Sequence, residues 1–329
     1  MSTLSLESHQ HDAAATRSGT AVTLRLFADA PPRLAPPLPE PPPPVVGEYA
    51  LIAQLAQGGM SGVYLGQHCT TGARAAIKLP GTPWIGDEAV ARRLLTEHAL
   101  AHAVHHDGVV RIDHADRTEA GLPYLVMELL DGENLGALLD RGPLAIGAAV
   151  AIVAQVADAA AAIHDAGLVH CDLKPDNVML LYRPGLAGWP AAKVVDFGVA
   201  RRAGAALEEI AGTPGYMAPE QWAGHVDART DVYALGCTLY ELVTGCTPFE
   251  GSVAELRAGH CDQLPVPPSA RRELPEELER LIMRMLAKDL RMRPRMADVA
   301  RALTELAFAA PPGARLDGDH AAIATPGAA

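Results

Sequence analysis

The chain has 329 residues, 49% of them hydrophobic and 20% charged, which supplies a sizeable core and excludes a wholly disordered or fibrous protein. A formal net charge of −12, from 27 Lys and Arg against 39 Asp and Glu, argues against a broad phosphate-neutralising surface, so no nucleic-acid partner is expected. The five cysteines (Cys69, Cys171, Cys237, Cys246 and Cys261) include no Cys-x-x-Cys pair, which points to thiols in a reducing cytoplasm rather than a zinc site or disulfide framework.

Residues 1–46 form the first segment. Glu7 and Asp12 stand where a secretory signal needs a basic start and an apolar run, so a cytoplasmic protein is expected. The segment ends in Pro36-Pro37-Leu38-Pro39-Glu40-Pro41-Pro42-Pro43-Pro44, which favours an extended, solvated linker and a disordered leader. A folded unit is expected over residues 47–308, and a disordered tail over 309–329 after the stop at Pro311-Pro312-Gly313. Residues 48–66 and 75–78 predict strands around a glycine turn, 87–104 a helix, and 124–127 another strand. Beyond Gly132 the patterns are helical, at 146–164, 231–244, 275–286 and 297–307. The most apolar stretch, 148–163, contains Gln155 and Asp158 and falls short of the ~20 residues a bilayer crossing needs. A buried helix and no membrane span are expected. Strands first and helices after them predict an α+β fold in two lobes.

Three local patterns carry chemistry. Leu55-Ala56-Gln57-Gly58-Gly59-Met60-Ser61-Gly62-Val63-Tyr64 is a small-residue turn between strands, where backbone N–H groups can approach phosphate oxygens. Ala75-Ala76-Ile77-Lys78 ends an apolar strand on a lysine. On the helix that follows, Val90, Leu94, Glu97, Ala101 and Val104 recur at spacings of 4, 3, 4 and 3, one face of a helix. Glu97 therefore sits in an apolar stripe and requires a facing cation, for which Lys78 is the natural candidate.

Later comes Leu168-Val169-His170-Cys171-Asp172-Leu173-Lys174-Pro175-Asp176-Asn177-Val178-Met179, and then Lys193-Val194-Val195-Asp196-Phe197-Gly198. With the strand lysine and the helix glutamate ahead of them, these segments resemble the bacterial branch of the Ser/Thr protein kinase family. Gly212-Thr213-Pro214-Gly215-Tyr216-Met217-Ala218-Pro219-Glu220 resembles the end of that family's activation segment. Asp231-Val232-Tyr233-Ala234-Leu235-Gly236 resembles the start of its central buried helix, and Arg293-Pro294 the late arginine that pairs with Glu220.

The resemblance implies a two-lobed kinase fold and transfer of the γ-phosphoryl of ATP to Ser or Thr hydroxyls of protein substrates. It implies that Leu55, Ala56, Gln57, Gly58, Gly59, Met60, Ser61, Gly62 and Val63 cover the nucleotide. Val63 and Ala76 would pack on the adenine, behind a gatekeeper Met127 and a hinge at Glu128, Leu129 and Leu130. Lys78 would hold the α- and β-phosphates, oriented by Glu97, while Asn177 and Asp196 bind Mg²⁺ or, in its place, Mn²⁺. Asp172 would accept the proton of the attacking hydroxyl, and Lys174 would stabilise the moving phosphoryl.

Departures from the family pattern carry expectations of their own. Ala56 and Ser61 replace two of the three loop glycines. Cys171 replaces the arginine that in the family binds a phosphorylated activation segment, and residues 199–212 contain no Ser, Thr or Tyr. Activity without phosphorylation of that segment is expected, with Glu208 and Glu209 as a solvated acidic pair and Thr213 contacting Asp172. The Gly- and Pro-containing residues 182–190 predict a long hairpin loop. The rival readings are a non-catalytic pseudokinase scaffold, suggested by the altered glycine turn, and a small-molecule phosphotransferase, opposed by Glu220 with Arg293.

Overall fold

The computed structural model of the chain describes residues 45–58, 60–205 and 211–309. The leader before residue 45, the tail beyond residue 309, Gly59, Glu208 and Glu209 lie outside the described residues. Strands whose two faces feed two apolar clusters build the first lobe. Strands β1 (Val45–Val46), β2 (Tyr49–Gln57), β3 (Ser61–His68) and β4 (Arg74–Pro80) lead to helix α1 (Glu88–His102), then β5 (Ile112–Arg117) and β6 (Pro123–Met127). They form one six-stranded antiparallel sheet of order β1-β2-β3-β4-β6-β5. The sheet opens ahead of the expected boundary at residue 47. Val45 and Val46 pair with Ala50 and Tyr49, and Val46 is fully buried, so its side chain belongs to the core.

In β4, Ala75, Ile77 and Leu79 enter an apolar cluster with Val46, Tyr124 and Val126, whereas Ala76 joins a second cluster with Leu94 and Met127. Side chains alternate along a strand, so Lys78 shares the face of Ala76, and the register sets it between Val63 and Leu125. Asp87 starts α1 by accepting hydrogen bonds from the N–H groups of Ala89 (2.8 Å) and Val90 (3.2 Å). The stripe read from the sequence is buried at Val90, Leu94, Glu97 and Ala101.

The second lobe begins with β7 (Gly132–Asn134), α2 (Leu135–Leu139) and α3 (Ile146–Asp165). Then come β8 (Leu168–Val169), the hairpin β9 (Val178–Pro184) and β10 (Pro190–Val194), β11 (Arg201–Arg202) and α4 (Pro219–Trp222). Helices α5 (Ala228–Thr244), α6 (Val253–Asp262), α7 (Glu276–Met285) and α8 (Met296–Ala309) complete it. The loop expected over 182–190 is shorter than predicted: Tyr182–Pro184 continue β9 and Pro190 opens β10, because the two prolines pair across the hairpin, and a 3₁₀ turn, Leu186–Gly188, fills the connection. Among the described residues α3 is the one helix long and apolar enough to cross a membrane, but α5, α8 and β10 pack over it and it serves as core. Helix α6 was not expected, because its apolar periodicity is weak; its start is nevertheless marked by a capping box in which Ser252 and Glu255 bond each other's backbone N–H.

Helix α5 is buried on nearly every side, and Gly236 brings α7 close: a Cβ there would stand 2.9 Å from Met285 Cβ. Gly236→Ala is therefore expected to lower stability by about 1–3 kcal/mol, through overpacking that outweighs the helix propensity of alanine. Urea denaturation against the wild-type chain measures it.

Candidate active site

A cleft of about 640 Å³ lies between the lobes. In its wall Lys78 Nζ stands 2.8 Å from both carboxylate oxygens of Glu97 and 2.8 Å from Asp196 Oδ1. Lys78 and Glu97 are both buried, while 47% of the Asp196 side chain is exposed to the open cleft. Burial alone would lower the Lys78 pKa, but Asp196 and Glu97 outweigh it and raise it, keeping the ammonium charged. Burial raises the Glu97 carboxyl against the pull of Lys78. It acts the same way on Asp196, where Lys78 and the Gly198 N–H win and hold the acid well below the usual carboxylate range.

The loop that carries Asp172 is held in an uncommon backbone conformation. Cys171 and Asp196, both with φ of 67°, are the two non-glycine residues with positive φ among the described residues. Asp231, fully buried at the start of α5, accepts from the N–H groups of His170 and Cys171, each at 2.8 Å, and contacts His164 Nε2 at 2.8 Å. Gln221 Nε2 donates to the Cys171 carbonyl at 2.8 Å, so both backbone polar groups of the strained residue are pinned. His170 packs edge-on against Phe197, with ring centroids 5.3 Å apart. Its Nε2 lies 3.2 Å from the Val195 carbonyl and its Nδ1 3.4 Å from the Asp172 N–H, so the ring bridges the segments that carry Asp172 and Asp196.

Asp172 is thereby aimed at the cleft. Its Oδ1 accepts from the Thr213 N–H (2.9 Å), and its Oδ2 from Asn177 Nδ2 (3.1 Å) with Lys174 Nζ at 3.4 Å. Lys174 in turn donates to Thr213 Oγ1 at 2.5 Å. Asn177 Nδ2 also bonds the Asp172 carbonyl at 2.8 Å, so its amide hydrogens are engaged and its oxygen is left for a ligand. Asp196 takes its two protein donors on Oδ1, leaving Oδ2 without one among the described residues. Two hard oxygens opening on one cleft fit a Mg²⁺ that keeps several waters, and fit Mn²⁺ by the same chemistry.

The cleft is lined by Leu55, Ala56, Gln57, Gly58, Met60, Ser61, Val63, Ala76, Met127, Glu128 and Leu130, with Lys78, Glu97, Asp172, Lys174, Asn177 and Asp196. Gly62 is the exception among the described residues expected to cover a nucleotide. It is buried within β3, and a side chain there would strike the Tyr64 ring at 2.9 Å. The glycine turn is closed by the bond from Gly58 N–H to the Ser61 carbonyl (2.8 Å) and tied to β4 by the bond from Gly81 N–H to the Met60 carbonyl (2.7 Å).

Three features at the site were not read from the sequence. Glu128 accepts from the Arg111 N–H (2.8 Å) and from the buried Lys193 Nζ (2.5 Å), which anchors the connection between the lobes from behind. A larger cavity of about 1020 Å³ lies on that far side, but none of Lys78, Glu97, Asp172, Lys174, Asn177 or Asp196 lines it, so the chemistry belongs to the smaller cleft. Arg93 lines the cleft one helical turn before Glu97 and donates to the Gly198 carbonyl. Its four-residue offset from Glu97 was the available signal. The Asp231 clamp had no local signal.

Residues 49–303 match the family model described as the protein kinase domain. The chain is 42% identical over 250 residues to serine/threonine-protein kinase Pkn1 of Myxococcus xanthus, a match covering 74% of this chain and 36% of the relative. It is 36% identical over 266 residues to serine/threonine-protein kinase pkn2 of the same organism, covering 76% and 31%. Over 267 residues it is 35% identical to serine/threonine-protein kinase PknB of Mycobacterium tuberculosis, covering 77% and 42%. The matched region spans a third to somewhat under half of these relatives' lengths.

Proposed function

The chain belongs to the protein kinase family, and from that premise we propose that it transfers the γ-phosphoryl of Mg·ATP to Ser or Thr hydroxyls of proteins. One observation carries this reading. Lys78, charged and paired with Glu97 and Asp196, opens on the same cleft as the Asp172 carboxylate and the Asn177 oxygen. Phosphoryl transfer has a loose transition state, so catalysis is mainly positioning and charge neutralisation.

In this mechanism Val63 and Ala76 would pack on the adenine, the peptide groups of Glu128–Leu130 would meet its edge, and Lys78 would meet the α- and β-phosphates. Asn177 and Asp196 would hold the divalent ion, which supplies charge neutralisation to the phosphate oxygens. Asp172, held by Thr213 and Asn177, orients the incoming hydroxyl and accepts its proton. Lys174 lies 3.4 Å from the same carboxylate and meets the negative charge of the moving phosphoryl. The acidic net charge favours a protein partner over a nucleic acid, and five unpaired thiols fit work in the cytoplasm.

Activity without phosphorylation of the activation segment is part of the proposal. The buried, uncharged Cys171 offers no partner for a phosphate, and its thiol lies 3.5 Å from the Val169 carbonyl. Thr213 is engaged with both Asp172 and Lys174. Transfer of labelled γ-phosphate to a Ser/Thr protein acceptor, before and after phosphatase treatment with intact-mass monitoring, tests both halves. The treated enzyme is expected to keep its rate within about two-fold. Absence of any transfer sinks the kinase reading; a large loss restored by modification at Thr213 sinks the independence.

A further inference from the structure

Helix α1 packs against β4, β5 and β6, all in its own lobe. The Lys78–Glu97–Asp196 arrangement nevertheless joins two lobes, so α1 must be held against the larger one. Among the described residues Arg93 does this: its Nε donates to the Gly198 carbonyl at 2.5 Å, one turn before Glu97, whose carboxylate holds Lys78. The guanidinium also reaches the glycine turn, with Nη1 4.0 Å from Met60 Sδ.

We propose that Arg93 is a positioning residue that straps three parts of the cleft wall together: helix α1, the Asp-Phe-Gly turn and the glycine turn. It lines the cleft without belonging to the expected set of phosphate, metal or proton-handling groups. Burial, and then the like charge of Arg201, lower the Arg93 pKa against the opposing pull of Asp196, Glu97 and Asp172. A cation drawn toward three carboxylates and bonded to the carbonyl of Gly198 resists withdrawal of α1 from the cleft. Gly198 itself is tightly seated, since a Cβ there would lie 2.9 Å from Asp196 Oδ1. Whatever holds its carbonyl therefore also fixes the carboxylate two residues before it. The strap gives a physical basis for independence from phosphorylation: the contact between α1 and the start of the activation segment is made by a side chain that is always charged. This inference rests on the kinase reading for its effect on rate, but not for the contact itself.

The experiment uses the full chain carrying Arg93→Met, which keeps the stem and removes the donors, and Arg93→Lys, which keeps the charge. In Arg93→Met, kcat is expected to fall by about 10- to 100-fold, the loss attached to misplacement of roughly 1 Å. Affinity for adenosine, which needs no phosphate contact, stays within about two-fold. Hydrogen exchange in the nucleotide-free protein should quicken at the Phe197, Gly198 and Ala200 amides, with the melting temperature unchanged. Arg93→Lys should recover part of both effects. Unchanged kcat and exchange in Arg93→Met overturn the strap, as does exchange that rises uniformly with a lower melting temperature. Faster local exchange in a chain whose wild type transfers no phosphate keeps the strap and removes the kinase reading.

Discussion

Replacing Asp172 with alanine is expected to lower kcat for phosphate transfer by about 10²- to 10⁴-fold, the range attached to one positioned acid–base group. Its carboxylate is 6% exposed and held by donors on both oxygens, so its direction is set before a substrate arrives. Affinity for Mg·ATP should change little. Lys78 is anchored by Glu97 and Asp196 at 2.8 Å, and Glu128 by Lys193, with no bond from either to Asp172. The alanine leaves the Thr213 N–H and part of the Asn177 amide without acceptors, so the melting temperature is measured beside the rate. A variant as fast as the wild-type chain would leave only a nucleotide-binding scaffold.

A comparable loss, this time of stability, is expected when the Glu220–Arg293 pair is broken. Arg293 is 2% exposed, and all five of its N–H donors are used. Two form a fork on Glu220 at 2.8 and 2.9 Å, and the others reach the carbonyls of Ala287, Arg229 and Lys288. The guanidinium also lies 4.8 Å from the centre of the Tyr233 ring. Arg293→Met leaves the Glu220 carboxylate with the Thr230 hydroxyl (2.8 Å) as its remaining donor among the described residues and takes a donor from three carbonyls. Removing one partner of a buried pair costs about 3–5 kcal/mol. Arg293→Lys restores one point charge without the planar fork, so it should recover little. Replacing both partners with apolar residues should destabilise less than Arg293→Met, because no buried charge is then left alone. Denaturant midpoints of the three variants decide it; a single loss under about 1 kcal/mol would show that the carboxylate finds water or another donor.

Much of the site follows from short-range pattern. Alternation along β4 puts Lys78 on the cleft face, and the 4-3-4-3 spacing on α1 puts Glu97 on its apolar stripe, so their pairing follows from two periodicities. The segments around Asp172 and Asp196 each set several functional side chains within a few residues, where spacing alone fixes their order. Burial of α3 was equally plain, because an apolar helix with Gln155 and Asp158 in it belongs in a protein core. Helix α6 and the pairing of Val45–Val46 escaped, the first for want of periodicity and the second because two valines beside a proline run carry no strand signal until a neighbour pairs with them.

Amino-acid order therefore specified which residues could do the chemistry and on which element each one rides. Tertiary packing, within the second lobe and between the two, set the rest: the Arg93 contact with Gly198 across 105 positions, the Asp231 clamp on Cys171 across 60, and the Lys193 brace on Glu128 across 65. Each is a polar contact whose partner could have been any donor or acceptor of the right kind, since hydrogen bonds carry no periodicity along the chain. They form where packing of apolar faces happens to deliver both groups to one dry spot, where leaving either unpaired would be costly.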